Sequence, residues 1–231
     1  MTKARKLPSA LEKDSIFTKL GTGMPLLFLD YDGTLTPIVD DPSQALMPDK
    51  VRRLLERLAE HWKVVIMTGR ALKDARKLVD LDNIFYAGSH GFNMQGPGGD
   101  FHEEPGKRFL SSLDKAETEV RDAIEGLEGV RPERKPYALA LHFRGAEKSV
   151  IPELEKRLDA VLEHFPDLTK THGKKIFELR PDTDWDKGEA MMYLVKKFAG
   201  DVNKAVPLYI GDDVTDEDAF RAMGDKGSVF W

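Results

Sequence analysis

Two aspartates stand two positions apart in FLDYDGTLTP, residues 28–37, at the end of an apolar run, with a glycine and two threonines close behind. Like charges that close repel, and an ionised carboxylate buried without a partner is costly. Asp30 and Asp32 therefore need a positive charge beside them. GDDVTDED, residues 211–218, adds Asp212, Asp213 and Asp216 after a second apolar run. Clustered hard oxygen ligands suit Mg2+, which keeps several waters and takes only a few carboxylates plus a substrate phosphate. A dication among these five aspartates would offset the repulsion.

A phosphate must be held as well as attacked. Thr68 can donate its hydroxyl, with Gly69 and Arg70 completing a Thr-Gly-Arg turn as candidate substrate contacts. Lys187 can supply a point charge from the start of a helix. Asp30, nearest the strand end, is the candidate nucleophile, since a carboxylate can form an acyl-phosphate and split one difficult hydrolysis into two steps. Asp32 would protonate the leaving oxygen and afterwards activate water. Each motif alone has a plainer explanation. A DxD is usually a solvated turn, Thr-Gly-Arg a helix start, GDDVTDED an acidic cap on a helix dipole, and His90 in GSHG a hydrogen-bonded turn residue. Asp-x-Asp-Gly-Thr, Thr-Gly-Arg, Asp-Lys-Gly and Gly-Asp-Asp, in that order at strand ends, together point to phosphate chemistry.

The elements that must position these residues are legible in the apolar pattern. PLLFLD (25–30) and KVVIM (63–67) are short continuous runs, expected as strands buried on both faces. Val51, Leu54, Leu55, Leu58, Ala59 and Trp62 recur at helical spacing, as do Leu72, Ala75, Leu78 and Val79. IFYAG (84–88) is a third strand. This alternation predicts a parallel sheet with right-handed crossovers, in which ligands bind outside the carboxyl ends of the strands.

The pattern breaks at MQGPGGDFHEEPGK, residues 94–107. Beyond it come an expected helix near 108–126, the alternating strand YALALHF (137–143), a helix near 150–164 and the strand KIFEL (175–179). From Asp186 the first style resumes, with a helix carrying Ala190, Met191, Leu194, Val195 and Phe198 and the strand PLYIG before the acidic turn. The expected fold is α/β: a Rossmann-like parallel-sheet core of residues 1–93 and 183–231, interrupted by an α+β cap of residues 94–182. The chain ends on GSVFW as it enters another strand, so either the sequence is incomplete or the core is trimmed.

Composition bounds the alternatives. The chain has 231 residues, 41% hydrophobic and 32% charged, with a net charge of −5 spread evenly. It is too acidic to have nucleic acid as its main partner. It has no cysteine, which excludes disulfides and thiolate metal sites. No apolar run reaches the length of a membrane span, and residues 1–15 lack the apolar centre of a secretory signal. The cytosol is the expected location.

DYDGTLT, Thr68, Lys187 and GDDVTDEDAF together resemble the four motifs of the haloacid dehalogenase-like phosphohydrolases. FLDYDGTLTPIVDDP, YAGSHGF, ERKPYALALHFR, GKKIFELRP, WDKG and YIGDDVTDEDAF resemble, more narrowly, the trehalose-6-phosphate phosphatase family over about Leu26 to Phe220. The resemblance implies Asp30 as nucleophile and Asp32 as acid and base, with Thr68 and Lys187 on the phosphate. It implies Mg2+ on Asp30, the Asp32 carbonyl and Asp212, and a cap that closes over the sugar. The family-like positions for reading sugar hydroxyls are His90, Lys135, His142, Arg144, Lys174 and Glu178, with the spacing of Lys174 and Glu178 matching the family pattern. The substrate implied is a small sugar phosphate and the expected state a monomer, with a trehalose-6-phosphate synthase as the conceivable protein partner. The competing readings are a phosphatase of another glycosyl phosphate, such as a glycosyl-3-phosphoglycerate, and a sugar-phosphate sensor that binds without hydrolysing.

Overall fold

The computed structural model describes residues 23–39, 41–224 and 228–230. The expectations about a leader in residues 1–15 and about Trp231 lie outside the described residues. The chain divides into two compact units, residues 1–104 with 185–231, and residues 105–184.

The first unit is built on a seven-stranded sheet ordered β11-β10-β1-β2-β3-β4-β5. Its strands are β1 (Met24–Leu29), β2 (Lys63–Met67), β3 (Phe85–Gly88), β4 (Asn93–Gln95), β5 (His102–Glu103), β10 (Ala205–Ile210) and β11 (Ser228–Phe230). The pairs β11–β10, β10–β1, β1–β2 and β2–β3 are parallel, whereas β3–β4 and β4–β5 are antiparallel. Successive strand residues point to opposite faces, and β1 uses both. Leu26 and Phe28 pack on one side with Met191, Leu194 and Val195 of α5 (Lys187–Ala199) and with Ala219 and Met223 of α6 (Asp216–Met223). Leu27 and Leu29 pack on the other with Leu55 of α1 (Asp49–Ala59) and with Ala75 and Val79 of α2 (Leu72–Val79). Each of these four β1 side chains is at most 6% exposed, a burial worth about 1.5–3 kcal/mol apiece.

This double burial explains the uninterrupted apolar run, and it fixes where a ligand can sit. The chain leaves β1 for β2 on one side and returns to β10 on the other, so the order reverses at β1. The crevice beyond the carboxyl end of β1 is the switch point of the sheet, and Asp30 is the first residue past that end.

Helix α1 follows the expected apolar stripe, except that Leu54 is 53% exposed and Trp62 lies beyond the helix against the core. The boundary between the units falls at Glu104–Pro105 rather than near residue 93. Residues 93–103 hydrogen-bond to the edge of β3 as the β4–β5 ribbon, turning at Pro97–Gly99. Its glycines and proline make the turn inside an extension of the sheet, not a linker between units.

The second unit is a four-stranded antiparallel sheet ordered β6-β7-β9-β8: β6 (Arg131–Lys135), β7 (Ala138–His142), β8 (Leu168–Gly173) and β9 (Ile176–Pro181). Helices α3 (Leu110–Ala123) and α4 (Val150–Leu162) cover the face carrying Leu139, Leu141, Phe177 and Leu179. The strands β6 and β8 are hard to read from the sequence, because each has a long charged side chain, Arg134 or Lys170, at a central helix-side position. Arg134 donates to Asp114 of α3 at 2.9 Å, and Lys170 to Glu155 and Asp159 of α4 at 3.0 and 2.5 Å. Among the described residues no helix is long and apolar enough to cross a membrane.

Candidate active site

The crevice at the end of β1 holds a buried ammonium between carboxylates. Lys187, in the first turn of α5, donates to Asp30 Oδ1 at 2.6 Å and to Asp216 Oδ1 at 2.7 Å. All three side chains are nearly or wholly inaccessible to solvent. Asp186 caps α5 by accepting from the Glu189 N–H at 2.9 Å, which sets where the helix begins and therefore where Lys187 points. Asp30 is fixed through its own N–H, which donates to the Ile210 carbonyl at the end of β10.

Asp212 completes the group. One carboxylate oxygen from each of Asp30, Asp212 and Asp216 lies within 4.8 Å of the others. Two glycines allow that approach. Gly33 has φ +90°, and a Cβ there would stand 2.0 Å from Asp212 Oδ2. A Cβ at Gly211 would meet the Asp216 carboxyl at 2.4 Å. Thr34 also donates its hydroxyl to Asp212 Oδ1 at 3.0 Å.

Charge and desolvation compete at Asp30. Its pKa is raised to about 6, chiefly by burial, with Lys187 pulling it down and Asp216 and Asp212 adding to the rise. At Lys187 burial acts against the charged form, but Asp30 and Asp216 outweigh it and the ammonium pKa is raised. Tyr209 on β10 donates to Asp216 Oδ1 at 2.6 Å, and burial together with Asp216 keeps that phenol protonated.

Three clustered carboxylates with a single ammonium leave excess negative charge built from hard oxygens, a donor set that fits Mg2+. The oxygens divide the work. Both oxygens of Asp216 are occupied, Oδ1 by Lys187 and Tyr209, and Oδ2 by the Asp213 N–H at 3.0 Å. Asp216 is thus placed to orient Lys187, which leaves Asp30 and Asp212 as the side chains open to a cation. Of the five aspartates expected around a metal, Asp32 and Asp213 are not brought into the carboxylate group. The strand ends at Leu29, so the alternation that would set Asp32 beside Asp30 stops short of it, and the Asp32 carboxylate faces Arg70 at 2.5 Å. Asp213 accepts from the Val214 N–H at 2.7 Å and serves its own loop.

Thr68 and His90 stand together. Thr68 is buried at the end of β2, and its carbonyl accepts from the His90 N–H at 2.9 Å. His90 has φ +56°, an unusual conformation for a residue with a side chain, and its ring lies against Gly69, where a Cβ would come within 2.9 Å of it.

In the second unit, Lys135, His142 and Glu178 share the sheet face opposite α3 and α4. The registers Lys135↔Ala138 and Ala140↔Glu178 set them there, and Lys135 Nζ donates to Glu178 Oε1 at 2.7 Å. Lys174 is not beside Glu178: it is exposed in the turn between β8 and β9. Arg144 follows the end of β7, which is tied to that turn by the Phe143 N–H on the Lys175 carbonyl at 3.1 Å. Arg144 and Lys174 therefore stand at one end of the sheet. Glu133, which sequence reasoning missed, lies on the same face and contacts His142 Nε2 at 2.6 Å. Tyr209 was missed as well, because inside YIGDD it reads as one more apolar strand residue.

Comparison with known proteins places the chain among relatives over most of its length. The family model described as trehalose-phosphatase matches residues 28–229. Probable trehalose-phosphate phosphatase I of Arabidopsis thaliana is 37% identical over 235 residues, covering 96% of this chain and 64% of that protein. The chain thus spans less than two thirds of that relative's length. The structure of Aspergillus fumigatus trehalose-6-phosphate phosphatase matches with a TM-score of 0.72 at 29% identity, over 97% of this chain and 87% of that one. A haloacid dehalogenase-like hydrolase from Bacteroides thetaiotaomicron has the same fold, with a TM-score of 0.59 at 14% identity over 86% of this chain and 85% of that one. With its motifs at the switch point of a haloacid dehalogenase-like core, and with the family model spanning both units, the chain belongs to the trehalose-phosphatase family.

Proposed function

We propose that the chain is a Mg2+-dependent phosphatase that hydrolyses trehalose 6-phosphate to trehalose and inorganic phosphate through an aspartyl-phosphate on Asp30. The observation that carries this is the buried Lys187 ammonium held on Asp30 beside the Asp212 carboxylate. A carboxylate already oriented by a cation at one oxygen has the other free to attack phosphorus. As that bond forms, the bond from phosphorus to the sugar oxygen breaks, and the leaving oxygen takes a proton from Asp32. Water then attacks the aspartyl-phosphate, Asp32 accepts its proton, and phosphate departs with Asp30 regenerated. Thr68 and Lys187 hold the phosphoryl oxygens. Asp30, Asp212 and the Asp32 carbonyl would hold Mg2+, which when bound neutralises phosphoryl charge.

The sugar hydroxyls are read by His90 and by the polar side chains of the antiparallel unit, Lys135, His142, Arg144, Lys174 and Glu178. The same reading carries cytosolic location, a monomeric state and association with a trehalose-6-phosphate synthase as proposals.

Recognition separates from chemistry experimentally. Lys174→Ala and Glu178→Ala should each lower kcat/KM for trehalose 6-phosphate by about 10²-fold, because binding energy from the remote sugar positions the phosphate. Release of p-nitrophenol from p-nitrophenyl phosphate, which offers no sugar, should stay near the parental rate. Equal losses on both esters, with folding intact, would remove these residues from sugar recognition.

A further inference from the structure

Arg70 stands in the turn expected to clamp phosphate, yet its guanidinium is committed elsewhere. Nε donates to Asp32 Oδ2 at 2.7 Å and Nη2 to Asp32 Oδ1 at 2.5 Å, a two-point fork that fixes the plane of the carboxylate as well as its position. The guanidinium lies 5.4 Å from the centroid of the Tyr31 ring. That ring is fully buried, and its hydroxyl is anchored on the Ala45 carbonyl at 2.7 Å. The Arg70 backbone is held from both sides. Its N–H donates to Thr68 Oγ1 at 3.2 Å, and its carbonyl accepts from the Ser89 N–H at 2.7 Å. The Arg70 side chain is 15% exposed and that of Asp32 43%. The anchored, shielded partner holds the accessible one.

We infer that Arg70 is a positioning residue for Asp32, fixing the carboxylate that exchanges protons with the leaving oxygen and with the attacking water, rather than a contact to the phosphate. This rests on the phosphatase reading above. Both proton transfers need the Asp32 oxygen within hydrogen-bond reach of a moving proton. A carboxylate on a loop has rotational freedom that a bidentate arginine removes, and a lysine, with a single ammonium, restores only in part.

The choice of leaving group tests this. A sugar alkoxide needs a proton as it departs, whereas p-nitrophenolate departs without one. For either ester kcat/KM reports the steps through cleavage of the ester bond, and the later attack of water enters kcat alone. Arg70→Met should lower kcat/KM for trehalose 6-phosphate by about 10²-fold, the low end of what general acid catalysis supplies. Its kcat/KM for p-nitrophenyl phosphate should stay within about threefold of parental, while kcat and KM fall together. Nitrophenolate should then appear in a burst, because the aspartyl-phosphate waits for a well-placed base. Arg70→Lys should recover part of the loss, and in an Asp32→Asn background Arg70→Met should cost nothing further. Equal loss of kcat/KM on both esters, or a full additional loss in the Asp32→Asn background, would overturn the inference and make Arg70 a phosphate ligand. If the parent released phosphate from neither ester, the phosphatase reading would fail first, and this inference with it.

Discussion

Replacing Asp30 by asparagine is expected to lower phosphate release by at least about 10⁴-fold and, in metal-free protein near neutral pH, to make the fold more stable. The two effects have one cause. Asp30 is buried, and its pKa is pushed up from 3.8 to about 6, chiefly by that burial. The folded protein therefore holds the Asp30 proton more tightly than the unfolded chain does. The resulting stabilisation is present in full below about pH 4 and is lost as pH rises through about 6, a swing of about 3 kcal/mol. Asparagine keeps the shape and never ionises. The stability of the variant minus that of the parent, from denaturant unfolding in excess chelator, should thus grow across this pH window. A difference that stays flat from pH 4 to 7 would mean that burial does not strain Asp30. Functional groups held against their own solvation commonly trade stability for activity in this way.

Removing the ammonium should do the opposite to stability. Lys187 is 2% exposed and lies within 2.7 Å of two carboxylates that have no other cation on them among the described residues. Lys187→Met leaves Asp30 and Asp216 buried and facing each other unpaired. Deleting one partner of a buried ion pair typically costs about 3–5 kcal/mol. Catalysis should fall by about 10³-fold as well, since a preorganised charge on the phosphoryl oxygens is lost. Denaturant unfolding at neutral pH reads the first effect and phosphate release the second. A Lys187→Met protein as stable as the parent would show that the ammonium is not what holds the cluster together. Adding Asp30→Asn to that variant should return part of the lost stability, because one of the two opposed charges is gone.

The central strands were legible because a strand buried on both faces has no polar position to interrupt it, as at Leu26–Leu29. Three of the four motifs were legible because each follows such a strand; the fourth, with Lys187, instead opens helix α5. Pairings across long separations were not. Nothing in the spacing of Lys187 and Asp216 tells that they meet, or that Asp216 spends both oxygens on Lys187, Tyr209 and the Asp213 amide. Strand alternation would set the Asp32 carboxylate on the same side as that of Asp30, but β1 ends at Leu29 and the Asp32 carboxylate turns to Arg70. In the antiparallel unit, β6 and β8 pack against helices through Arg134 and Lys170, so their inward side looks as polar as their outward side. The same polarity made Glu133 indistinguishable from a solvated residue. Lys174 and Glu178 match the family spacing, but spacing does not show that Lys174 lies in the turn before Lys175, whose φ is +65°, while Glu178 lies within β9.

The most direct test of the central claim is phosphate release by the unaltered chain from a panel of sugar phosphates, including trehalose 6-phosphate and a glycosyl-3-phosphoglycerate, in Mg2+ and in excess chelator. The account predicts the highest kcat/KM on trehalose 6-phosphate, and none of that activity once the metal is removed. Preference for the glycosyl-3-phosphoglycerate would contradict the assigned substrate. Undiminished release in chelator would contradict the role given to the Asp30 and Asp212 carboxylates. Tight binding of trehalose 6-phosphate without release of phosphate would make the chain a sensor and not an enzyme.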